Sequence, residues 1–287
     1  MNEVSKRIER IRSIFLDTQL FYANDPTTGS LLNYLENTEP QFRSIAYESA
    51  SMAIALKDLE KDHALNTWIF FASGPALAHK AQVYVGLGWA ISKLNLPFLT
   101  VIKKIETRYY HRIADGCGYY DGSFKQRQTV LSQLHPVYLP EEALPIYDQG
   151  IGRSLWYTSN ADINKIRDKI DRFPANRQAA LWRGIGIAVA YVGGCEDDAL
   201  FTLLQYAGNN RIQLACGAAL VARSRMEANT MTVDTDHCSR LWFNHTAADE
   251  NIFLTEKPDP ATIGNEEVYF NWITQIEDGL AGSFELK

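Results

Sequence analysis

Tyr147-Asp148-Gln149-Gly150-Ile151-Gly152-Arg153-Ser154 sets two glycines one residue apart inside a run that reads as helix. A pair of small residues with this spacing recurs along the chain, its first member at Ser49, Gly86, Gly116, Gly150, Gly184 and Gly217, with separations of 37, 30, 34, 34 and 33 residues. A period of that size belongs to stacked helical hairpins, in which each unit buries its apolar face only against its neighbours. The expected fold is all-α: about six helical hairpins of period about 33–34, forming a tight superhelix or a closed α/α ring with an inner cavity. Residues 1–39 read as an N-terminal helical cap, 40–225 as the six-copy repeat and 226–287 as a C-terminal capping segment, all within one structural domain.

Glycine inside a helix costs roughly 0.5–1 kcal/mol relative to alanine, so two per helix call for a packing reason. At about 3.6 residues per turn, the first small residue and the one four later (Gly150 with Ser154, Gly184 with Ala188) share a side, and the second small residue lies about 200° around. Each motif helix therefore has two flanks that neighbours can approach closely. The residue between the pair is apolar in every copy (Ala50, Leu87, Cys117, Ile151, Ile185, Ala218) and should pack on the second helices of the hairpins. The remaining face carries the residue before the pair and the one four later: Glu48 and Met52, Val85 and Trp89, Asp115 and Tyr119, Gln149 and Arg153, Arg183 and Ile187, Cys216 and Leu220. It mixes acids, bases, amides and aromatics while the packing faces stay constant. This face is expected to point into a groove or lumen.

Helix boundaries agree with the period. Pro140 and Pro174 stand ten residues before their glycines and Pro40 nine before Ser49, as for prolines that start helices. Ser159 to Asp162 supplies capping chemistry ahead of Ile163, Ile166 and Ile170, and Gly193-Gly194 and Gly208-Asn209-Asn210 end helices. In the third copy the pattern is expected to break at Tyr119-Tyr120-Asp121-Gly122, followed by an irregular stretch through His135 and Pro140, a place where function tends to concentrate. Beyond Met226 the repeat fades into a polar stretch with Pro258 and Pro260 and a helix around Val268 to Gly279.

A net charge of −6 and a pI near 5.6 offer no basic stripe for nucleic acid. No apolar run approaches the ~20 residues of a spanning helix, and Met1 to Phe15 lacks the apolar core of a signal peptide. A cytoplasmic protein is expected, with Cys117, Cys195, Cys216 and Cys238 as free thiols, since none has C-x-x-C spacing. Homo-oligomerisation stays open.

The familiar cofactor motifs are missing: no complete dinucleotide fingerprint, no Walker lysine loop, no G-x-S-x-G elbow and no H-E-x-x-H. No metal and no cofactor are expected; His111 and Asp115 at i and i+4 are a chance-level pair, and no Asp-rich run suits a magnesium diphosphate. Acid–base chemistry remains. A carboxyl in an apolar site is a proton donor, whereas a nearby Arg holds it ionised. Asp115 is the expected acid, with Tyr119 one turn on as an accessory donor and Asp121 at the start of the irregular loop. Gln149, Arg153 and Arg183 would anchor a carbonyl, carboxylate or phosphate, and Glu48, Met52, Trp89 and Trp156 would complete the binding surface.

At Asp115-Gly116-Cys117-Gly118-Tyr119, at Asp148-Gln149-Gly150-Ile151-Gly152-Arg153-Ser154-Leu155-Trp156 and at Leu181-Trp182-Arg183-Gly184-Ile185-Gly186, the chain resembles domain-of-unknown-function family 1702, from about Pro40 to Arg225. That resemblance implies a bacterial secondary-metabolite setting, enediyne and related gene clusters, with a polyketide, polyene or isoprenoid as the molecule handled. It carries over no catalytic residues. The expectation is an enzyme that cyclises or isomerises such a hydrophobic substrate by proton transfer. The alternative is a non-catalytic helical-repeat binding or scaffold protein.

Overall fold

Six helices carry the small-residue pairs, and the glycines among those pairs press against the backbone of a neighbouring motif helix. A computed structural model of the 287-residue chain describes residues 2–61, 64–105, 109–243, 246–247 and 266–285. Its described residues form fourteen α-helices and no strand: α1 (Glu3–Asn24), α2 (Thr28–Glu36), α3 (Pro40–Lys61), α4 (Asn66–Ser73), α5 (Lys80–Leu94), α6 (Phe98–Ile102), α7 (Tyr110–Phe124), α8 (Leu144–Thr158), α9 (Ile163–Ile170), α10 (Ala175–Val192), α11 (Asp197–Ala207), α12 (Arg211–Glu227), α13 (Val233–Phe243) and α14 (Glu266–Glu285). The motif helices are α3, α5, α7, α8, α10 and α12, and each packs on the next in that order.

The two-flank expectation has a simple stereochemical form here. A methyl group on the first glycine of a pair would strike the preceding motif helix: Gly86 the Glu48 carbonyl, Gly116 that of Val85, Gly150 that of Asp115, Gly184 that of Gln149 and Gly217 that of Arg183. On the second glycine it would strike the following helix: Gly88 meets Ile113, Gly118 meets Tyr147, Gly152 meets Leu181 and Gly186 meets Leu214, again at the carbonyl oxygen. Equivalent positions face one another at each step, so neighbouring motif helices run in the same direction. Each must return through an outer segment, supplied by α4, α6, α9 and α11 and, between α7 and α8, by irregular chain. The middle residues Ala50, Leu87, Cys117, Ile151, Ile185 and Ala218 are all fully buried.

Local signals hold closely. Asp162 caps α9 by accepting from the Lys165 N–H at 3.1 Å, and Gly193 and Gly208, both at positive φ, follow α10 and α11. One expectation fails: helix α7 does not break at Tyr119 to Gly122 but runs on to Phe124, and the irregular stretch begins with a π-helical turn at Arg127–Leu131. The stretch with Pro258 and Pro260 lies outside the described residues.

Two helices without the small-residue pair complete the core. α1 packs on α3 and crosses the C-terminal ends of α8 and α10, where Arg12 donates to the Tyr157 carbonyl at 2.8 Å and Arg7 to the Val192 carbonyl at 3.4 Å. Arginines at helix C-termini also meet the negative end of the helix dipole. α14 packs on α12 and reaches across to α8 and α10: the Tyr269 hydroxyl donates to Gln149 Oε1 at 3.2 Å, and Glu277 accepts from Arg183 at 2.6 Å. At the far end of the series, buried Arg225 of α12 donates to the carbonyls of Gln41 in α3, Tyr191 in α10 and Thr230. Among the described residues no helix is long and apolar enough to cross a membrane, and the four cysteines are unbridged.

Candidate functional site

The variable face of the motif helices turns inward and is buried. Glu48, Asp115, Gln149, Arg153 and Arg183 are each at most 8% exposed, which removes them from the class of solvated surface charges. Asp115 of α7 and Arg153 of α8 are in direct ion-pair contact, and the second Asp115 oxygen accepts from Gln149 Nε2 at 2.9 Å. The other side of the Arg153 guanidinium faces Glu48 of α3, at 3.7 Å. One cation is thus shared by two buried acids from different helices. Tyr119 lies under the guanidinium, 4.6 Å from ring centroid to Arg153 Cζ, a cation–π contact in a desolvated setting.

The charge imbalance sets the electrostatics. Burial pushes the Glu48 carboxyl up to about 7; Arg153 opposes that shift and Asp115 adds to it. Burial alone would lower the Arg153 value, but Asp115 and Glu48 outweigh it and hold the guanidinium charged. Both Asp115 oxygens are already taken by Arg153 and Gln149, whereas Glu48 has only the longer approach to Arg153. The geometry therefore compensates the charge of Glu48 less than that of Asp115. The Tyr157 phenol, also buried, is pushed up to about 12.

Two spaces meet at this cluster. An inner chamber of about 20 Å³ lies between Glu48, Gln82, Tyr119, Arg153, Tyr157 and Tyr191. It has room for about one water molecule. Outside it runs a groove of about 330 Å³, bounded by α1 (Phe15, Leu16), α5 (Trp89), α7 (Tyr119, Phe124) and α8 (Tyr157). Ile11, Phe15, Tyr119 and Tyr157 line both spaces. The groove is strongly aromatic, with Trp89 against Phe15 at 4.8 Å and edge-on to Tyr119 at 4.7 Å between ring centroids.

The candidate residues separate into groups. Glu48, Asp115, Tyr119, Gln149 and Arg153 come together, and Trp89 joins them through the groove. Met52 is buried beside them, its sulfur accepting from Gln19 at 3.2 Å. Arg183 faces Glu277 of α14. Asp121 belongs elsewhere: its carboxylate accepts from Ser92, from the Tyr138 and Tyr147 hydroxyls at 2.8 and 2.9 Å, and pairs with Lys125 at 2.7 Å. It ties the irregular segment to the core, and the sequence reading that made it catalytic rested on a helix break that does not occur. Trp156 also lies apart, lining a cleft of about 390 Å³ with Cys195 and Tyr206. Asp148, expected to be structural, is gripped on both oxygens by Arg177.

Tyr157 and Tyr191 were missed, although each lies one further turn along the face already identified, after Gln149/Arg153 and Arg183/Ile187. Ile11, Phe15 and Tyr269 had no signal, because they come from helices outside the period. Among the described residues no group of three or more His, Cys, Asp or Glu is placed to hold a metal ion.

The chain belongs to the family described as protein of unknown function (DUF1702), whose profile matches residues 1–280. The match therefore takes in α1 and most of α14 as well as the repeat. No curated protein and no solved structure matches the chain.

Proposed function

We propose that this protein binds a hydrophobic polyketide, polyene or isoprenoid of a secondary-metabolite pathway in the groove beside α1, and promotes its cyclisation or isomerisation by proton transfer. The observation that carries this reading is that an apolar, aromatic groove and a chamber at a buried acid cluster share the side chains of Tyr119 and Tyr157 in their lining. Glu48 takes the acid role first expected of Asp115, because Asp115 is fully engaged by Arg153 and Gln149. Arg153 stabilises the carboxylate left when Glu48 gives up its proton, and Asp115 and Gln149 keep Arg153 in place. The chemistry needs no metal in this scheme. The superhelical or ring form of the array is supported by Arg225, which ties α12 to the start of α3.

Wild type, Glu48→Gln and Asp115→Asn are incubated with linear polyenes, isoprenoids and polyketide mimics, and isomeric products are sought by mass spectrometry and NMR. The expected result is an isomer made by wild type and lost in Glu48→Gln, which still quenches tryptophan fluorescence on ligand binding. Binding with no product from any protein would discard the enzyme. It would leave the second reading, a non-catalytic binding protein, favoured by a chamber of about 20 Å³ that admits no carbon skeleton.

A further inference from the structure

The groove and the chamber differ in what they can hold. The groove takes a chain of carbon atoms. The chamber takes an object the size of one water molecule and surrounds it with polar groups from every motif helix that faces it: Glu48 from α3, Gln82 from α5, Tyr119 from α7, Arg153 and Tyr157 from α8, and Tyr191 from α10. Arg153 Nε, buried with its residue, has no hydrogen-bond partner. An unpartnered guanidinium N–H is an expensive group to bury, and this arginine is part of the chamber wall.

We infer that the ligand class is a conjugated ketone or aldehyde, an apolar chain lying in the groove with a single carbonyl oxygen seated in the chamber among Tyr119, Tyr157 and Arg153. This rests on the groove-binding reading above and narrows it. An isoprenoid hydrocarbon would leave the chamber donors unmatched. A carboxylate would bring a third acid beside Glu48 and Asp115, which already share one arginine.

The chemistry agrees with the geometry. An acid held near neutrality is too weak to protonate an isolated double bond, but it is well matched to moving a proton beside a carbonyl. Glu48 as carboxylate takes a proton from a saturated carbon attached to the conjugated carbonyl system; that C–H bond breaks as the Glu48 O–H forms, and the electron pair moves through the conjugated system onto the oxygen. The oxygen is stabilised by the tyrosine hydroxyls and Arg153. Glu48 then returns the proton to a different carbon of the same chain. The substrate is isomerised, nothing is oxidised or reduced, and no co-reactant is consumed.

The test uses the full chain and three probes of equal length: pseudoionone (a linear conjugated dienone), the hydrocarbon with methylene in place of its carbonyl, and the corresponding dienoic acid. Affinity is read by tryptophan quenching at pH 7.5, and the carbonyl stretch of bound pseudoionone by infrared difference spectroscopy. The ketone is expected to bind about tenfold tighter than the hydrocarbon and tighter than the acid, with its stretch lowered on binding. Tyr119→Phe and Tyr157→Phe should erase the preference and the infrared shift, with circular dichroism and thermal unfolding showing that both variants fold. Equal binding of ketone and hydrocarbon by wild type overturns the inference and leaves the groove reading intact. A preference that survives in both variants overturns it as well. Failure of every probe to bind overturns both.

Discussion

Helix α7 buries two aspartates six positions apart, and their surroundings could hardly differ more. Asp121 is met by three hydroxyls and one ammonium, every oxygen is occupied, and no second acid is in contact with it. Asp115 is equally buried, yet the cation it contacts is shared with Glu48. A carboxylate surrounded by donors is a structural clamp. Two carboxylates on one arginine leave the burial of Glu48 incompletely compensated, so burial, with Asp115 adding to it, pushes its carboxyl up to about 7. Burial alone does not mark a functional acid; the charge balance of its neighbourhood does.

The sharpest way to break the contrast is to remove the shared cation. Arg153→Met leaves two buried acids without compensation and should destabilise the protein by about 3–5 kcal/mol at pH 8. Denaturant unfolding at pH 8 and at pH 5 checks this, and the loss should be smaller at pH 5, where Glu48 is protonated.

Glu48→Gln sharpens the contrast in the opposite direction. The Glu48 value is raised on folding from 4.5 to about 7, so between those limits the folded state binds more protons than the unfolded chain. Stability conferred by Glu48 is thus greatest below pH 4.5, falls as pH rises through the window, and is fully lost above about pH 7. The shift corresponds to about 3 kcal/mol. The variant should gain up to that amount over wild type at pH 8 and nothing at pH 4, measured as the pH dependence of unfolding free energy. A flat difference between the two proteins would return the surplus proton to another group.

Asp121→Asn should cost about 1–3 kcal/mol, because a neutral amide cannot accept from all of Ser92, Tyr138, Tyr147 and Lys125. Ligand quenching of Trp89 should stay as in wild type. Gly150→Ala tests the frame that both acids share. Helix propensity favours alanine by roughly 0.5–1 kcal/mol, but its methyl would strike the Asp115 carbonyl of α7. A net loss of about 1–3 kcal/mol in thermal or denaturant unfolding is expected.

That frame was the most legible part of the molecule in its sequence. The paired small residues carry their own helical geometry, so period, direction of packing and the inward face all follow from local spacing. The cluster of Glu48, Asp115, Gln149 and Arg153 was legible for the same reason, because the first three sit at equivalent positions of the repeat and Arg153 one turn further along the same face. What escaped was the contribution of helices with no period to read. Phe15 and Ile11 of α1 line the chamber beside the cluster, and Tyr269 of α14 reaches Gln149 across 120 residues of chain. Proton bookkeeping also escaped: spacing put Asp115 and Glu48 on one face, but only the distances to Arg153 decide which of them is free.

The smallest expected effect separates the two cations. Lys125 stands to Asp121 as Arg153 stands to Asp115, in contact with a buried carboxylate, but its side chain is 33% exposed against 6% for Arg153. Water screens the lysine charge in both folded and unfolded states, so its pairing is worth the ~0–1 kcal/mol of a surface ion pair. Three hydroxyls remain on Asp121 when the ammonium is gone. Lys125→Met should therefore destabilise the protein by less than about 1 kcal/mol, and added salt should shrink the difference from wild type further. A loss as large as that of Arg153→Met would mean that donors without charge cannot hold a buried aspartate here, and the distinction between clamp and proton reservoir would fall with it.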